Sequence, residues 1–261
     1  YSMCRQRLVG SSALASLFYG AGFIPFAMYI PIYVQGVHGG SATNSGLILL
    51  PLTLASVVAA QIGGFLAAKT AYRNIMIGSA LIFILGAFLL STITPDTSNA
   101  ELTAYMIITG LGVGFSFSVL GMAGMHGFDA SKRGAASSSM SFLRSLGMTV
   151  GLTVFGIVQR NALAAEMADA FGGGAGAGDA HSLADIRQSL TPEKRAELPP
   201  DVLNRIVDAL SSSIAHMFVW VIVPAILALL AVLFMGTAKL KLPAQGERSK
   251  RAGAAEYGGG H

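Results

Sequence analysis

An arginine inside a long apolar stretch is the side chain of this sequence with the clearest chemical potential. Arg144 follows Gly134, the first residue of an apolar run, by ten residues, and Ser141 precedes it by nearly one helical turn. At 1.5 Å per residue the arginine lies about 15 Å into a helix, and a charge near the bilayer centre costs about 2.5–3.5 kcal/mol. We therefore expect Arg144 to face protein or a water-filled cavity. Two roles stay open: contact with a ligand or a moving proton, and a structural hydrogen bond to a neighbouring helix.

A second set of candidates is mainly aromatic. Phe26, Tyr29 and Tyr33 follow one another at helical spacing in the first apolar run. Such a stripe either forms an aromatic wall for an amphipathic ligand or packs between helices, with its phenol hydroxyls near the membrane surface. Gln61 lies deep in the second run and needs a polar partner there. The predicted cavity lining is Phe26, Tyr29, Tyr33, Gln61, Ser141 and Arg144.

Catalytic and metal-binding arrangements find little support. Gly114-Phe-Ser116-Phe loosely matches an intramembrane serine protease motif, with His216 as the base. Ser116 would lie about 21 Å into its helix and His216 about 3–5 Å into another, whereas nucleophile and base must be about 3 Å apart. The single cysteine, Cys4, excludes a cysteine-based metal site. The remaining histidines are scattered, so we predict no catalytic residue, metal or cofactor: His38, His126, His181 and His261.

The composition explains where these residues must lie. Of the 261 residues 53% are hydrophobic and 11% charged, and the mean hydropathy is +0.62, whereas soluble domains carry about 25% charged residues. The chain is thus neither soluble nor disordered. A bilayer needs about 20 apolar residues per helix, and helices are required because unpaired backbone groups are costly in lipid. Six runs qualify: Leu8–Val34, Ser45–Ala68, Asn74–Thr92, Leu102–Ala123, Gly134–Val158 and Ile214–Met235.

Basic residues indicate the orientation of these six runs. They flank alternate loops, while the loops 35–44 and 93–101 contain none. The positive-inside rule then places both termini in the cytoplasm of a multi-pass cell-membrane protein. The polar segment 159–211 holds five basic and eight acidic residues and belongs outside. The pI near 9.3 is thus a topology signal, and no nucleic-acid partner is expected. The basic residues are Arg5, Arg7, Lys69, Arg73, Lys132, Arg133, Lys239, Lys241, Arg248, Lys250 and Arg251.

The six runs differ in how polar they are, which indicates which of them face lipid. The third and sixth are apolar nearly all round and suit a lipid-facing position, whereas the others carry more glycine, serine and polar groups.

Because the chain begins at Tyr1 rather than methionine, we interpret it as part of a longer protein. The predicted segments are a cytoplasmic lead-in 1–7, five transmembrane helices in 8–158, an extracellular polar loop 159–211, a sixth transmembrane helix in 212–237 and a cytoplasmic basic tail 238–261.

Four segments carry a family resemblance. They are Tyr29-Ile-Pro-Ile-Tyr-Val-Gln35, the run Gly39–Gly46, Gly64-Phe-Leu-Ala-Ala-Lys-Thr-Ala-Tyr-Arg73, and Arg133–Ser139 followed by Arg144-Ser-Leu-Gly147. In their order and spacing these segments resemble the major facilitator superfamily, most of all its fourteen-helix drug:proton antiporter branch. The third lies where that family repeats its cytoplasmic G-x-L-x-D-R-x-G-R-R signature. Here Gly64 and Arg73 match the signature and Lys69 keeps the charge of its arginine, whereas Ala68, Ala71 and Tyr72 replace its aspartate, its central glycine and the next arginine.

The resemblance implies a fold and a function. The fold would be an all-α integral membrane bundle of six transmembrane helices, arranged as two three-helix repeats, 8–92 and 102–235, and equivalent to the C-terminal half of such a transporter. The activity would be efflux of amphipathic small molecules or drugs against an inward proton flow. The partners would be the substrate, protons, the lipid bilayer and the missing N-terminal bundle or a second half. The altered loop signature implies a weakened conformational lock. An alternative is a non-catalytic membrane assembly partner.

Overall fold

Six long helices make up nearly all of the described chain. The computed structural model describes residues 2–40, 42–126, 128–171 and 199–235. Within these ranges all six helices are long and apolar enough to cross a membrane, as the sequence predicts. The helices are α1 (Ser2–Gly36), α2 (Ala42–Lys69), α3 (Tyr72–Leu90), α4 (Asn99–Met125), α5 (Ala130–Phe171) and α6 (Pro200–Leu233).

Three helices extend well beyond their predicted ends, and the first is α1, which begins at Ser2 within the predicted lead-in 1–7. Helix α5 continues to Phe171, so the first end of the segment 159–211 is helical rather than loop. Helix α6 begins at Pro200, as the apolar spacing of Val202, Ile206 and Leu210 also indicates. The physical reason is that a segment outside the membrane can be polar and still helical, because alanine, leucine and glutamate favour helix. The low hydropathy of this segment therefore does not indicate irregular structure. Leu163 and Met167, four residues apart, are buried on one face of this extension. The predicted tail, 238–261, lies outside the described residues.

The connections between helices are short and locally determined. Only Thr70 and Ala71 separate α2 from α3. Helix α4 begins with a capping box, in which the Ser98 hydroxyl accepts from the Glu101 backbone N–H and the Glu101 carboxylate accepts from the Ser98 N–H, at 3.2 and 3.0 Å. This arrangement satisfies two backbone donors at the helix start. Glu101 is therefore a capping residue and not a membrane-embedded acid.

The packing repeats itself between the two halves of the chain. Helix α2 packs mainly on α4, and α5 packs in the same way on α1. Likewise α3 lies against α4, α6 lies against α1, and α3 and α6 contact each other. Exchanging α1–α3 with α4–α6 reproduces each of these contacts. This confirms the predicted all-α bundle of two three-helix repeats.

Paired glycines bring the backbones of these helices together. A side chain at Gly110 or Gly114 of α4 would collide with backbone carbonyl oxygens of α2, and one at Gly147 or Gly151 of α5 would collide with those of α1. Small residues four apart permit such close approach of helices in membranes. The carbonyl groups that these glycines meet belong to Leu52, Ser56, Leu17 and Ala21, in that order.

Contacts at the two ends of the bundle define its topology. At one end the Tyr33 hydroxyl donates to the Thr94 carbonyl oxygen at 2.5 Å, which joins the end of α1 to the loop after α3. At the other end the rings of Tyr72 and His126 meet edge to face, 5.6 Å apart, which joins the start of α3 to the end of α4. Alternate loops therefore share one end of the bundle, as the pattern of basic residues predicts.

Helices α2 and α5 are the least covered. Only 28% of the apolar stretch of α2 and 17% of that of α5 are buried, compared with 44% to 56% in the other four helices. Their exposed side chains are large and apolar, so these helices present an uncovered hydrophobic face. Its members include Leu54, Val57 and Phe65 of α2 and Phe142, Val150 and Val154 of α5.

Candidate functional site

The Arg144 side chain is held between helices rather than exposed to lipid. Its guanidinium carbon lies 4.5 Å from the centre of the Phe117 ring on α4, a cation–π contact. Its Nε is buried and has no hydrogen-bond partner within the described chain. On the backbone side, Gly20 of α1 leaves room for the Arg144 carbonyl group, which a side chain at position 20 would strike. The α1–α5 contact thus fixes the position of this charge.

A third residue completes this arrangement. The Phe23 ring of α1 meets the Phe117 ring edge to face, with ring centres 5.7 Å apart. Phe23, Phe117 and Arg144, here called the Arg144 cluster, are all half-buried and come from three different helices. A partly exposed guanidinium beside two aromatic rings can donate hydrogen bonds to a polar group while the rings contact its apolar part.

The two phenylalanines of this cluster were not predicted from the sequence. Phe117 lies 27 residues before Arg144 in another helix, and Phe23 is one of 14 phenylalanines in the chain. No spacing rule links residues on three helices. The only available signal was the charge itself, since a membrane-embedded arginine must have some partner.

The three aromatic candidates of α1 lie inside the bundle. The Phe26 ring stacks on Phe218 with centres 5.2 Å apart and meets Phe83 at 5.8 Å. Tyr29 and Tyr33 are buried as well. These contacts favour the packing interpretation of the aromatic stripe over that of a wall open to a ligand.

Gln61 and Ser141 lie apart from the aromatic core. Both are exposed, Gln61 on α2 and Ser141 on α5. These are the two least buried helices, so both residues belong to the surface that the rest of the chain leaves uncovered. The six predicted lining residues therefore fall into three groups: the buried aromatic set, the half-buried Arg144 and the two exposed polar residues.

The loop-signature residues lie where α2 meets α3. The Lys69 ammonium group, at the last residue of α2, lies 4.4 Å from the centre of the Phe65 ring in its own helix. Arg73 is half-buried in the first turn of α3, and its Nε is buried without an acceptor among the described residues. Gly64 allows α2 to approach Ser118 of α4. Within the part of the chain described, neither basic residue forms an ion pair.

The described residues offer no protease dyad and no metal cluster. Ser116 is buried, and its hydroxyl donates to the Val113 carbonyl oxygen of its own helix at 2.6 Å. His216 is exposed on α6 and, among the described residues, has no hydrogen bond to Ser116. No group of three histidine, cysteine, aspartate or glutamate side chains with metal-binding geometry occurs in the ranges that the structure covers.

Buried hydrogen bonds between helices were not anticipated from the sequence. The Tyr19 hydroxyl lies 2.9 Å from the Ser79 hydroxyl, and Ser79 donates to the Gly112 carbonyl oxygen at 2.6 Å. This chain connects α1, α3 and α4. A separate hydrogen bond connects α5 and α6, where the Gln159 amide donates to the Ser213 hydroxyl at 3.3 Å.

The sequence profile of one family covers more than half of this chain. Residues 2–152 match that of the Major Facilitator Superfamily. The chain belongs to the Major Facilitator Superfamily. This superfamily member is also similar to "Multidrug resistance protein 3" of Bacillus subtilis, with 43% identity over 96% of the chain and 49% of that protein. "Multidrug transporter protein MdtP" of the same organism is 34% identical over 56% of the chain and 27% of its own length.

A solved structure shares the fold. It is a bacterial homologue of the human lysosomal transporter Spinster, crystallised in an inward-facing and unoccupied conformation. The TM-score is 0.62 at 15% sequence identity, over 93% of this chain and 52% of that one. The chain therefore spans about half the length of the relatives that it matches most fully, and it is a multi-pass membrane bundle of a transporter family.

Proposed function

We propose that this bundle is one half of an efflux transporter that exports amphipathic small molecules from the cell. The observation that carries the proposal is the uncovered apolar face of α2 and α5 on a chain that spans about half of its relatives. A second bundle placed against this face would bury it and enclose a cavity between the two halves. The names of the two Bacillus subtilis relatives support multidrug substrates.

Alternating access is the mechanism we propose for this pair of bundles. Each bundle moves largely as a rigid body, and the two rock around a midplane site. Rigidity of this half is supported by the glycine contacts, which lock α1 to α5 and α2 to α4 at backbone distance. Gln61 and Ser141, exposed on the two least covered helices, are the proposed polar contacts of this half with the cavity.

Proton coupling needs a carboxylate at mid-membrane, and the described residues of this half place none there. The described acidic residues lie in loops or towards the ends of helices: Asp96, Glu101, Asp129, Glu166, Asp169, Asp201 and Asp208. A proton-coupled transporter usually uses membrane carboxylates whose charge can change. We therefore assign the coupling carboxylates to the other half and expect both termini of this half in the cytoplasm.

Arg144 is the proposed substrate-contacting cation of this half. We expect Arg144→Ala to reduce efflux of a fluorescent drug from cells that express the full-length protein, at unchanged protein level in the membrane. Arg144→Lys keeps a charge but not the planar guanidinium, so it should retain part of the activity. Phe88→Leu, on the outward surface of α3, is the matched control. Unchanged efflux in Arg144→Ala would mean that the Arg144 side chain has only a structural role.

A further inference from the structure

A groove opens between the start of α1 and the end of α6. Its volume is about 500 Å³, and both helix termini contribute to it. The groove lies at the end of the bundle that carries the basic loops. Its lining residues are Arg7, Gly10, Ser11, Leu14, Ala231 and Phe234.

The groove combines one charged side chain with exposed apolar ones. Arg7 and Leu14 lie on one face of α1, seven residues and about 10 Å apart along the axis. Leu14 is 49% exposed and Phe234 is 78% exposed, so both offer apolar surface to whatever fills the groove. The positive charge can bind the phosphate of a phospholipid, and the apolar side chains beside it can contact an acyl chain.

Arg7 is the charged residue among those that line the groove. Arg7 is exposed and, within the described residues, has no ion pair. In the sequence Arg5 lies two residues before it, and Lys239 and Lys241 follow Phe234 by five and seven residues. The first acidic residue of the chain is Asp96, and none occurs between Asp208 and Glu247. Helix α1 therefore carries no acidic residue, and neither does the described part of α6 after Asp208.

We infer that this groove binds an anionic phospholipid, with its phosphate on Arg7 and an acyl chain along Leu14 and Phe234. Basic pockets between transmembrane helices are suited to anionic headgroups on the cytoplasmic side. A soluble phosphate would use only the charge, whereas a phospholipid also fills the apolar part. The inference holds or fails independently of the export activity proposed above.

Two substitutions separate the headgroup from the acyl chain. Arg7→Gln removes the charge and leaves the cleft. Gly10→Leu fills the cleft and leaves the charge, and it has room because an added Cβ at Gly10 meets no atom within 4 Å. The matched controls lie outside the groove: Lys132→Gln removes an exposed charge at the same end, and Gly78→Leu enlarges another glycine with equally open surroundings.

The test is native mass spectrometry of the full-length protein, purified from membranes that contain phosphatidylglycerol and phosphatidylcholine. We expect the wild type and both controls to retain phosphatidylglycerol preferentially. Arg7→Gln should lower the retention of phosphatidylglycerol about fivefold, because one basic residue strengthens binding to an anionic surface by about that factor. Gly10→Leu should lower retention of both lipids. Soluble glycerol phosphate should not displace the lipid.

Three results would overturn the inference. One is equal retention of the two lipids by all variants, which would mean that another part of the full-length protein fills the groove. Another is displacement by glycerol phosphate, which would indicate a site for free phosphate. The third is an equal loss in Lys132→Gln, which would indicate general surface charge. If Gly10→Leu fails to fold, Arg7→Gln and its control still decide the question.

Discussion

At the scale of single residues, the energetics of Arg144 depend on more than one partner. A charge at mid-membrane costs about 2.5–3.5 kcal/mol, and the cation–π contact of the half-buried guanidinium with Phe117 offsets about 1 kcal/mol of that cost. The remainder requires hydrogen-bond acceptors for the guanidinium. Its buried Nε has none within the described chain, so the acceptors must come from water in a cavity, from a substrate or from another segment of the protein.

Phe117→Leu tests the Arg144 cluster without removing the charge. Leucine keeps most of the apolar contact but loses the aromatic ring, so the guanidinium is held less firmly. We expect an about fivefold lower apparent affinity for drug, measured by efflux at several substrate concentrations, since a cation–π contact contributes about 1 kcal/mol or more. Phe88→Leu should leave affinity unchanged. Equal behaviour of the two variants would contradict a role for the cluster in binding.

The hydrogen-bond chain between Tyr19, Ser79 and Gly112 makes a second residue-scale prediction. Tyr19→Phe and Ser79→Ala each remove one hydroxyl from this chain. Hydrogen bonds between transmembrane helices contribute about 0.6 kcal/mol on average and up to about 1.7 kcal/mol. A double-mutant cycle in detergent unfolding should give a coupling free energy in that range. Additive effects would mean that the two hydroxyls do not interact in the folded protein.

At the scale of helices, glycine contacts decide how the bundle is assembled. Gly147 and Gly151 place α5 against carbonyl groups of α1, and Gly110 and Gly114 do the same between α4 and α2. In these four places backbone meets backbone, so no rotamer change can make room for a side chain. The α1–α5 contact also fixes Arg144, since Gly20 lies against its carbonyl group.

Alanine substitutions at two glycines of α5 should have opposite effects. Alanine favours helix over glycine by about 1 kcal/mol. At exposed Gly134, where an added Cβ meets no atom within 4 Å, we expect Gly134→Ala to raise thermal stability or leave it unchanged. Gly147→Ala should lower stability by about 1–3 kcal/mol, because the methyl group strikes the Leu17 carbonyl oxygen. Thermal unfolding of the purified protein provides the comparison, and equal shifts would refute the close contact.

At the scale of the whole molecule, topology is the property on which the transporter interpretation depends. The structure groups alternate loops at the two ends of the bundle. His38 and Asn99 are 3.0 Å apart at one end, and Tyr72 and His126 meet at the other. The charge rule predicts the orientation, because basic loops are expected to stay in the cytoplasm.

Accessibility labelling of single cysteines tests this orientation. In a Cys4→Ser background, a membrane-impermeant maleimide added to intact cells should label Asn99→Cys but not Lys132→Cys. Opening the cells should expose Lys132→Cys to the reagent. Both positions are exposed in the structure, so burial would not explain a difference. Labelling of both in intact cells would contradict the predicted topology and the export mechanism with it.

The membrane class, the number of spanning helices and their alternating direction were determined by the sequence alone. These properties depend on local quantities: about 20 apolar residues are needed to cross a bilayer, and basic residues stay on one side. The motif order was also sufficient to identify the family. Helix ends were less well determined, because helix α5 continues to Phe171, well past Val158, where the sequence becomes polar.

The tertiary structure alone decided which side chains meet. In the folded bundle Phe26 packs against Phe218 in the interior, and Phe117 lies beside Arg144. Gln61 and Ser141 lie on an uncovered face. Those contacts depend on how helices rotate about their axes and approach one another. In nearly uniformly apolar helices hydropathy hardly specifies that rotation, since every face tolerates lipid; backbone fit at glycines and a few buried hydrogen bonds specify it instead.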